Sequence, residues 1–383
     1  MNTVVRNCPV CVTHEVKPIF NNKMIEIGGL DMSYILSRCN LCGFTFASEL
    51  PLEAQYQKYY STLSKYDSQP SVSALDQFRI YSAVSFLDRN EIPKDANIID
   101  IGCGFGAFLE GLSRGGWLRL QGVDPAPKSA TTAREQFGLS GVVQGGVRDA
   151  KKIFDLGQAD LVCLMAVIEH LPELRRDLAE ILSVLQPSAK VLIEVPAMDI
   201  FSLDNGEPYG EISIEHIQFF SSHSLRNLLG SFGATVISEQ LLPIPSLYSG
   251  TLLVLARVGG VSRSPIPEDP RRMDRYLAGS ARRWANALMK VPEKPFVLYG
   301  AGSHSARLLP SLSDSQRLNI QAVVDGNVNL QGKSFGDLTI QPPEALRNYP
   351  GLPVLVSSFR SETAIASSLS QRFPGNPICL MYH

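Results

Sequence analysis

Through the middle of the chain, short apolar runs alternate with stretches whose apolar residues recur at helical spacing. Ile98, Ile99 and Ile101 open the series as a strand, and helix-forming residues follow from Ala107. Leu120 to Asp124 reads as the next strand, Ser129 to Phe137 as a helix and Gly141 to Gln144 as a short strand. Leu161 to Met165 and Val191 to Val195 are further strands. Between them lies a helix, Leu174 to Leu185, with Glu169-His170 placed at the start of helical structure. Short continuous apolar runs joined by helices predict a parallel sheet with helices on both faces. A helix from Leu75 to Asn90 precedes this unit and ends before Pro93. A helix from Ser222 to Phe232 and a strand pair, Val236 to Leu242 and Leu247 to Val258, close it.

The ends of the chain follow different patterns. Near the start, Lys23 to Ile27 and Tyr34 to Ser37 read as strands of a ribbon, and a segment rich in Tyr, Ser and Gln follows from Pro51 to Ser73. Val261 to Pro295 reads as a connector with a basic helix whose arginines form a solvated face. A second strand–turn–helix unit starts at Phe296, and IQAVVD ends on Asp325; strands at Pro353 to Ser357 and Ile378 to Met381 complete it. The expected organisation is therefore a head over 1–73, an α/β unit over 74–260, and a connector with a small Rossmann-like unit over 261–383.

Composition narrows the class without deciding it. With 383 residues, 44% hydrophobic and 19% charged, the chain has material for two or three soluble domains. A formal net charge of −2 argues against nucleic acid as the main partner. The opening MNTVVRNCPVC has no apolar signal core, and no apolar run approaches the ~20 residues of a membrane span. A cytoplasmic protein with no membrane partner is the expectation.

Two sets of residues carry chemistry. Cys8-x-x-Cys11 and Cys39-x-x-Cys42 have the spacing of two knuckles. In a reducing compartment that pattern suits Zn²⁺ on four thiolates, a closed structural site with no position for water. Gly102, Cys103, Gly104 and Gly106 make the second set, a turn between strand and helix. Glycine there lets a ligand approach backbone that a Cβ would block, at the positive end of the helix. Cys103 enters that turn as a small residue. Asp124, followed by Pro125, closes the next strand, where an acid holds ribose hydroxyls. The cofactor is nucleoside-like. Gly102, Gly104 and Ala107 also satisfy the dinucleotide pattern. Asp100 and the third glycine, Gly106, tilt the reading, because a carboxylate at Asp100 repels a pyrophosphate and attracts an ammonium group.

DIGCGFG, Asp124 and VIEHLPE together resemble class I S-adenosylmethionine (SAM)-dependent methyltransferases. The resemblance implies that Asp100 and the Gly102–Gly106 turn contact the methionine part of SAM and Asp124 the ribose. Met165 and Ala166 then line the sulfonium, and His170 helps shape the site. Tyr56, Tyr59, Tyr60 and Tyr66 form either a packing helix or a lid whose rings, Tyr60 among them, face the sulfonium cation. In YGEISIEHIQFFSS (Tyr209 to Ser222), His216 is the candidate base and Glu215 its orienting partner. A hydroxyl acceptor, or a carbon beside a ketone, needs such a base near neutral pH. The alternative for His216 is a core histidine capping the helix at Ser222.

Taken whole, the order of a four-cysteine head, a SAM unit and a Rossmann-like tail resembles the sugar C-methyltransferases of deoxysugar pathways. That family acts on nucleotide-linked 4-keto-6-deoxy sugars; a histidine removes the proton beside the ketone, and the nucleotide diphosphate lies between the SAM and C-terminal domains. Glu215 and His216 match its E-H pair, but Ser213 and Ile214 stand where it carries Tyr-His; if that tyrosine assists enolate formation, either Tyr209 substitutes or the chemistry differs. Ser303, His304 and Ser305 lie where a phosphate could sit on a helix N-terminus, or mark a scaffold with no ligand. Three other readings stay open: O-methylation of a small hydroxyl compound, an NAD(P)-dependent enzyme, and a non-catalytic binding module.

Overall fold

The computed structural model describes residues 3–26, 31, 33–52, 54, 72–213, 215–244 and 249–383. Tyr56, Tyr59, Tyr60, Tyr66 and Ile214 lie outside the described residues, and with them the lid. Among the described residues, no helix is long and apolar enough to cross a membrane.

The head is an antiparallel sheet of β1 (Thr3–Val5), β2 (Val16–Asn22), β3 (Tyr34–Cys39) and β4 (Thr45–Pro51), in the order β1-β4-β3-β2. The strand expected at Lys23 to Ile27 is displaced. Val16–Asn22 supplies the partner of β3, and the chain leaves the ladder at Lys23, whose N–H returns to the Asn21 carbonyl.

The central sheet has seven strands. Five are parallel: β5 (Asn97–Ile101), β6 (Arg119–Asp124), β7 (Val142–Gln144), β8 (Leu161–Met165) and β9 (Lys190–Pro196). A two-residue β10 (Gln218–Phe219) leaves this unit and joins the head sheet beside β4. β11 (Thr235–Ile244) and β12 (Ser249–Arg257) then complete the order β11-β12-β9-β8-β5-β6-β7. β12 runs antiparallel to both of its neighbours. The result is a mixed sheet, parallel in its centre with one antiparallel strand. α1 (Ala74–Arg89), α2 (Ala107–Arg114), α3 (Ser129–Phe137), α4 (Leu174–Leu182) and α5 (Ser222–Ser231) accompany it. Strand order reverses between β5 and β8, so their carboxyl ends open a crevice suited to a ligand.

Glu169-His170 does not start α4. It lies in a separate 3₁₀ turn, Ile168–His170, because Pro172 drives Leu171 into extended backbone. After α6 (Arg271–Leu288) the third sheet follows: β13 (Phe296–Tyr299), β14 (Ile320–Val324), β15 (Ser334–Phe335), β16 (Leu338–Gln341), β17 (Val354–Val356) and β18 (Ile378–Leu380). Its order is β15-β16-β14-β13-β17-β18, flanked by α7 (Ser303–Ser311) and α8 (Glu362–Arg372).

The three sheets share cores. Cys8, Cys39, Phe44 and Phe46 of the head belong to the apolar cluster that covers one face of the central sheet. A second cluster joins Tyr34 and Leu36 of the head, Phe201 and Ile217 of the central unit, Tyr276 and Trp284 of α6, and Phe296 and Leu355 of the tail. α6 is thus a strut as well as a solvated face. Arg272 donates to the Phe201 carbonyl at 2.8 Å, and Arg283 donates to that of Leu203.

Candidate active site

The apolar run of β5 ends on a charged group that it buries. Asp100 is 1% exposed, and neither carboxylate oxygen has a hydrogen-bond partner among the described residues. Burial, with the nearby Asp124 charge, pushes its carboxyl up to about 8. The turn that follows is tight. Gly102 has φ +80°, and a Cβ there would meet Val167 Cγ2 at 2.5 Å, so the β5 and β8 turns pack directly together. Asp124 secures the same turn from β6. Its Oδ2 accepts the Gly104 N–H at 2.8 Å, and its Oδ1 accepts Ala126 N–H and Ser129 Oγ–H at 2.9 Å. Gly104 sits at φ +55°. Cys103 is buried, its Sγ packed where a Cβ on Gly122 would collide at 2.7 Å, and Pro125 is exposed beyond Asp124.

Past β8, Met165 is half-buried and Ala166 has φ +56°, a left-handed conformation that costs a non-glycine residue about 1 kcal/mol or more. Strain of this kind concentrates at binding sites. Next come Glu169 and His170. Glu169 is 1% exposed, its carboxylate has no hydrogen-bond partner among the described residues, and burial pushes its carboxyl up against the pull of His170 and Arg79. Arg79 of α1 is committed to Glu194 of β9 through two bonds, Nε–Oε1 at 2.7 Å and Nη2–Oε2 at 2.9 Å. Arg79→Ala strands the 2%-exposed Glu194 and should lower stability by about 3–5 kcal/mol in denaturant unfolding; a loss below 1 kcal/mol would show the pair to be dispensable.

Ser213 and the segment 215–219 lie against this region, and their position is set from both sides. Ser213 Oγ accepts the N–H groups of Glu215 and His216 at 3.2 and 3.0 Å. Tyr34 Oη lies 3.0 Å from the Ser213 carbonyl and 3.1 Å from that of His216. Ile217 N–H donates to the Glu169 carbonyl at 3.0 Å, while the Ile217 carbonyl accepts from Ala47 of β4 at 2.9 Å. His216 is thereby brought beside His170, with ring centroids 5.0 Å apart. Ligand atoms of Glu169, His170 and His216 all lie within 4.8 Å of one another. The carboxylate in this group is Glu169. Glu215 contributes its backbone carbonyl, which accepts from His170 Nδ1 at 3.0 Å.

Sequence reading missed Glu169 and Tyr34. A signal existed for Glu169, an acid inside an apolar run that folds into a core. None existed for Tyr34, far away in the sequence from the loop it anchors. Tyr209, the expected substitute for the missing tyrosine, packs instead in the shared core. It stacks on Phe20 at 4.7 Å and meets Trp284 edge-on at 6.4 Å, and burial pushes its phenol up.

The four cysteines of the head converge. Their sulfurs lie within 4.8 Å of one another, with Cys8–Cys42 at 3.6 Å and Cys11–Cys39 at 3.3 Å. The Cys42 N–H points at Cys39 Sγ at 3.4 Å, a donor that steadies a thiolate. Four converging sulfurs, three of them on buried residues, fit a tetrahedral thiophilic ion.

In the tail, Asp325 holds its turn as Asp124 does, accepting the Ala301 N–H at 2.7 Å. The expected phosphate-facing trio does not assemble there. His304 and Ser305 are buried in a network with Ser357 and Tyr382, and burial pushes His304 down to about 3. Ser303 alone is exposed. Cationic donors gather nearby instead. Nε and Nη2 of Arg283 and Nε of Arg307 are buried without partners among the described residues.

Residues 75–239 match the family model of a methyltransferase domain, a little under half of the chain. Over 112 residues the chain is 34% identical to a probable chloroplastic tocopherol O-methyltransferase of Oryza sativa subsp. japonica, covering 27% of this chain and 31% of that protein. Over 95 residues it is 28% identical to a ubiquinone biosynthesis O-methyltransferase of Neisseria meningitidis serogroup C (strain 053442), covering 24% and 40%. The chain therefore spans well under half the length of these curated relatives. Among solved structures, 1,6-didemethyltoxoflavin-N1-methyltransferase of Burkholderia thailandensis, with S-adenosylhomocysteine bound, is 19% identical with a TM-score of 0.41 over 56% of this chain and 95% of that one. Magnesium protoporphyrin IX methyltransferase of Synechocystis PCC 6803 is 14% identical with a TM-score of 0.41, covering 54% and 100%.

Proposed function

We propose that this chain, whose residues 75–239 form a methyltransferase domain, transfers the methyl group of SAM to a small-molecule acceptor. The observation that carries the reading is the buried Asp100 carboxylate at the strand-order switch point, which has no hydrogen-bond partner among the described residues. Such a group is strongly unfavourable until a cation or donor meets it, and the ammonium of the methionine moiety supplies both. Asp100 and the Gly102–Gly106 turn would hold that moiety. Asp124 would fix the turn on the ribose side, with Met165 and Ala166 at the methyl end. Calorimetry separates the cofactor classes. Binding of S-adenosylhomocysteine without binding of NADH is the expected result, and the reverse would discard methyl transfer.

SAM supplies an electrophilic methyl group, so the chain's own task is to hold an acceptor and remove its proton. His216, set over the site by Tyr34, Ser213 and β4, would take that proton, with His170 and Glu169 behind it. The acceptor we favour is a nucleotide-linked keto-deoxy sugar methylated on carbon. The partnerless guanidinium donors of Arg283 and Arg307, between the central unit and the tail, suit a diphosphate. O-methylation is the second reading, favoured by the two curated O-methyltransferases among the relatives. An NMR spectrum in heavy water distinguishes the two. With S-adenosylhomocysteine and a nucleotide-linked 4-keto-6-deoxy hexose bound, deuterium entering beside the ketone, and lost in His216→Asn, is expected for carbon methylation. Absence of exchange with both ligands bound would transfer the reading to oxygen. The four cysteines would carry a structural Zn²⁺.

A further inference from the structure

We infer that Glu169, His170 and His216 form a binding site for one divalent transition-metal ion, separate from the cysteine cluster. The first support is convergence: one carboxylate and two imidazoles bring ligand atoms within 4.8 Å of one another. They come from two segments, the 3₁₀ turn after β8 and the loop before β10, pinned together by the Ile217 N–H to Glu169 carbonyl bond.

The second support is independent and concerns where protons can lie. His170 Nδ1 is 3.0 Å from the Glu215 carbonyl, an acceptor only, so Nδ1 carries the hydrogen. The ring's Nε2 lies 3.7 Å from Glu169 Oε1. That separation is too long for a hydrogen bond. The Glu169 carboxylate is 1% exposed and has no hydrogen-bond partner among the described residues. The nearest cationic side chain, Arg79, gives two of its donors to Glu194. A cation held between Glu169 and the two imidazoles would satisfy the buried carboxylate. Oxygen and nitrogen ligands at about 2.1 Å from an ion lie about 3.0–3.4 Å apart, so the His170–Glu169 pair at 3.7 Å need close by only about 0.3–0.7 Å. The Nδ1–H bond to a backbone carbonyl is also the usual device that orients a metal-binding imidazole.

Two imidazoles and one carboxylate select a first-row divalent ion such as Zn²⁺, Co²⁺, Mn²⁺ or Fe²⁺ over Mg²⁺ or Ca²⁺. Three protein ligands leave positions for acceptor oxygens, so a substrate offering two neighbouring oxygens would chelate the ion. The binding site does not depend on the SAM reading. Where both hold, an acceptor hydroxyl on the ion would lose its proton to water near neutral pH, and His216 would serve as a ligand instead of a base.

The test is a titration with Co²⁺ of protein carrying one Zn²⁺ per chain, followed by visible absorption. One Co²⁺ per chain is expected, with the weak bands of a nitrogen–oxygen site and no thiolate charge-transfer bands. Glu169→Gln and His216→Ala should each weaken uptake by roughly tenfold or more. No uptake, bands of thiolate character, or uptake unchanged in both variants would overturn the proposal. If the variants fail to fold, paramagnetic broadening of the His170 and His216 resonances in the unaltered protein decides the matter, and its absence counts against the site. S-adenosylhomocysteine calorimetry on the same samples reports the cofactor reading separately.

Discussion

Asp100→Asn should bind S-adenosylhomocysteine at least about thirtyfold more weakly than the unaltered protein, yet be the more stable of the two without ligand. Both effects come from one buried charge. With ligand present, losing a desolvated carboxylate–ammonium pair removes about 2 kcal/mol or more of affinity. Without ligand, the carboxylate has no hydrogen-bond partner, and burial beside Asp124 raises its carboxyl to about 8. The folded state therefore keeps this proton up to pH about 8, whereas the unfolded chain releases it near the ordinary value of about 4. Between those values the folded state binds more protons, so this group's contribution to stability falls as pH rises, then levels above pH 8. Asparagine cannot ionise and lacks that slope. Its advantage should be small at pH 4 and reach roughly 3–5 kcal/mol at pH 8. Denaturant unfolding across that range, with calorimetry at pH 8, checks both halves. Unchanged affinity would remove Asp100 from the cofactor site, and a pH-independent difference would remove the burial argument.

On the proposed reading, Cys39→Ser, which would release Zn²⁺ from the head, should lower methyl transfer sharply while leaving the cofactor end of the site largely intact. A four-thiolate Zn²⁺ contributes on the order of 10 kcal/mol to the fold that holds it. That fold reaches the active site through backbone: β4 pairs with β10, Ala47 donates to the Ile217 carbonyl, and Tyr34 reaches the His216 carbonyl. Losing β4 frees the 213–219 segment and His216 with it. The Asp100 and Gly102–Gly106 turn stands on the central sheet, held by Asp124. The expected signature is a fall in turnover of roughly tenfold or more, with the S-adenosylhomocysteine dissociation constant changed by less than about threefold. Turnover that survives metal removal would show the head to be a separate module.

Some of this was written locally in the chain. The strands Asn97–Ile101 and Leu161–Met165 were legible because a strand buried on both faces is mostly apolar, Arg119–Asp124 because Leu120 and Val123 lead to a closing acid, and the turn because glycine takes left-handed angles without strain. The cysteine spacing marked a four-sulfur cluster, since two knuckles closing on one ion need two residues between each pair. Other features needed distant partners. The strand misplaced at Lys23 to Ile27 followed local composition, whereas its true bounds come from pairing with Tyr34–Cys39. Ser303, His304 and Ser305 suggested a phosphate site by position, but Ser357 and Tyr382, more than fifty residues on, take up the His304 ring.

By itself the sequence determined which residues build the strands, the glycine turn and the cysteine cluster, because those depend on near neighbours and backbone angles. Tertiary structure alone decided that Asp100 and Glu169 lie buried without hydrogen-bond partners, that Tyr34 and β4 position His216, and that His170 meets it. Burial and proximity are properties of a packed volume, and residues distant along the chain enter that volume only when it folds.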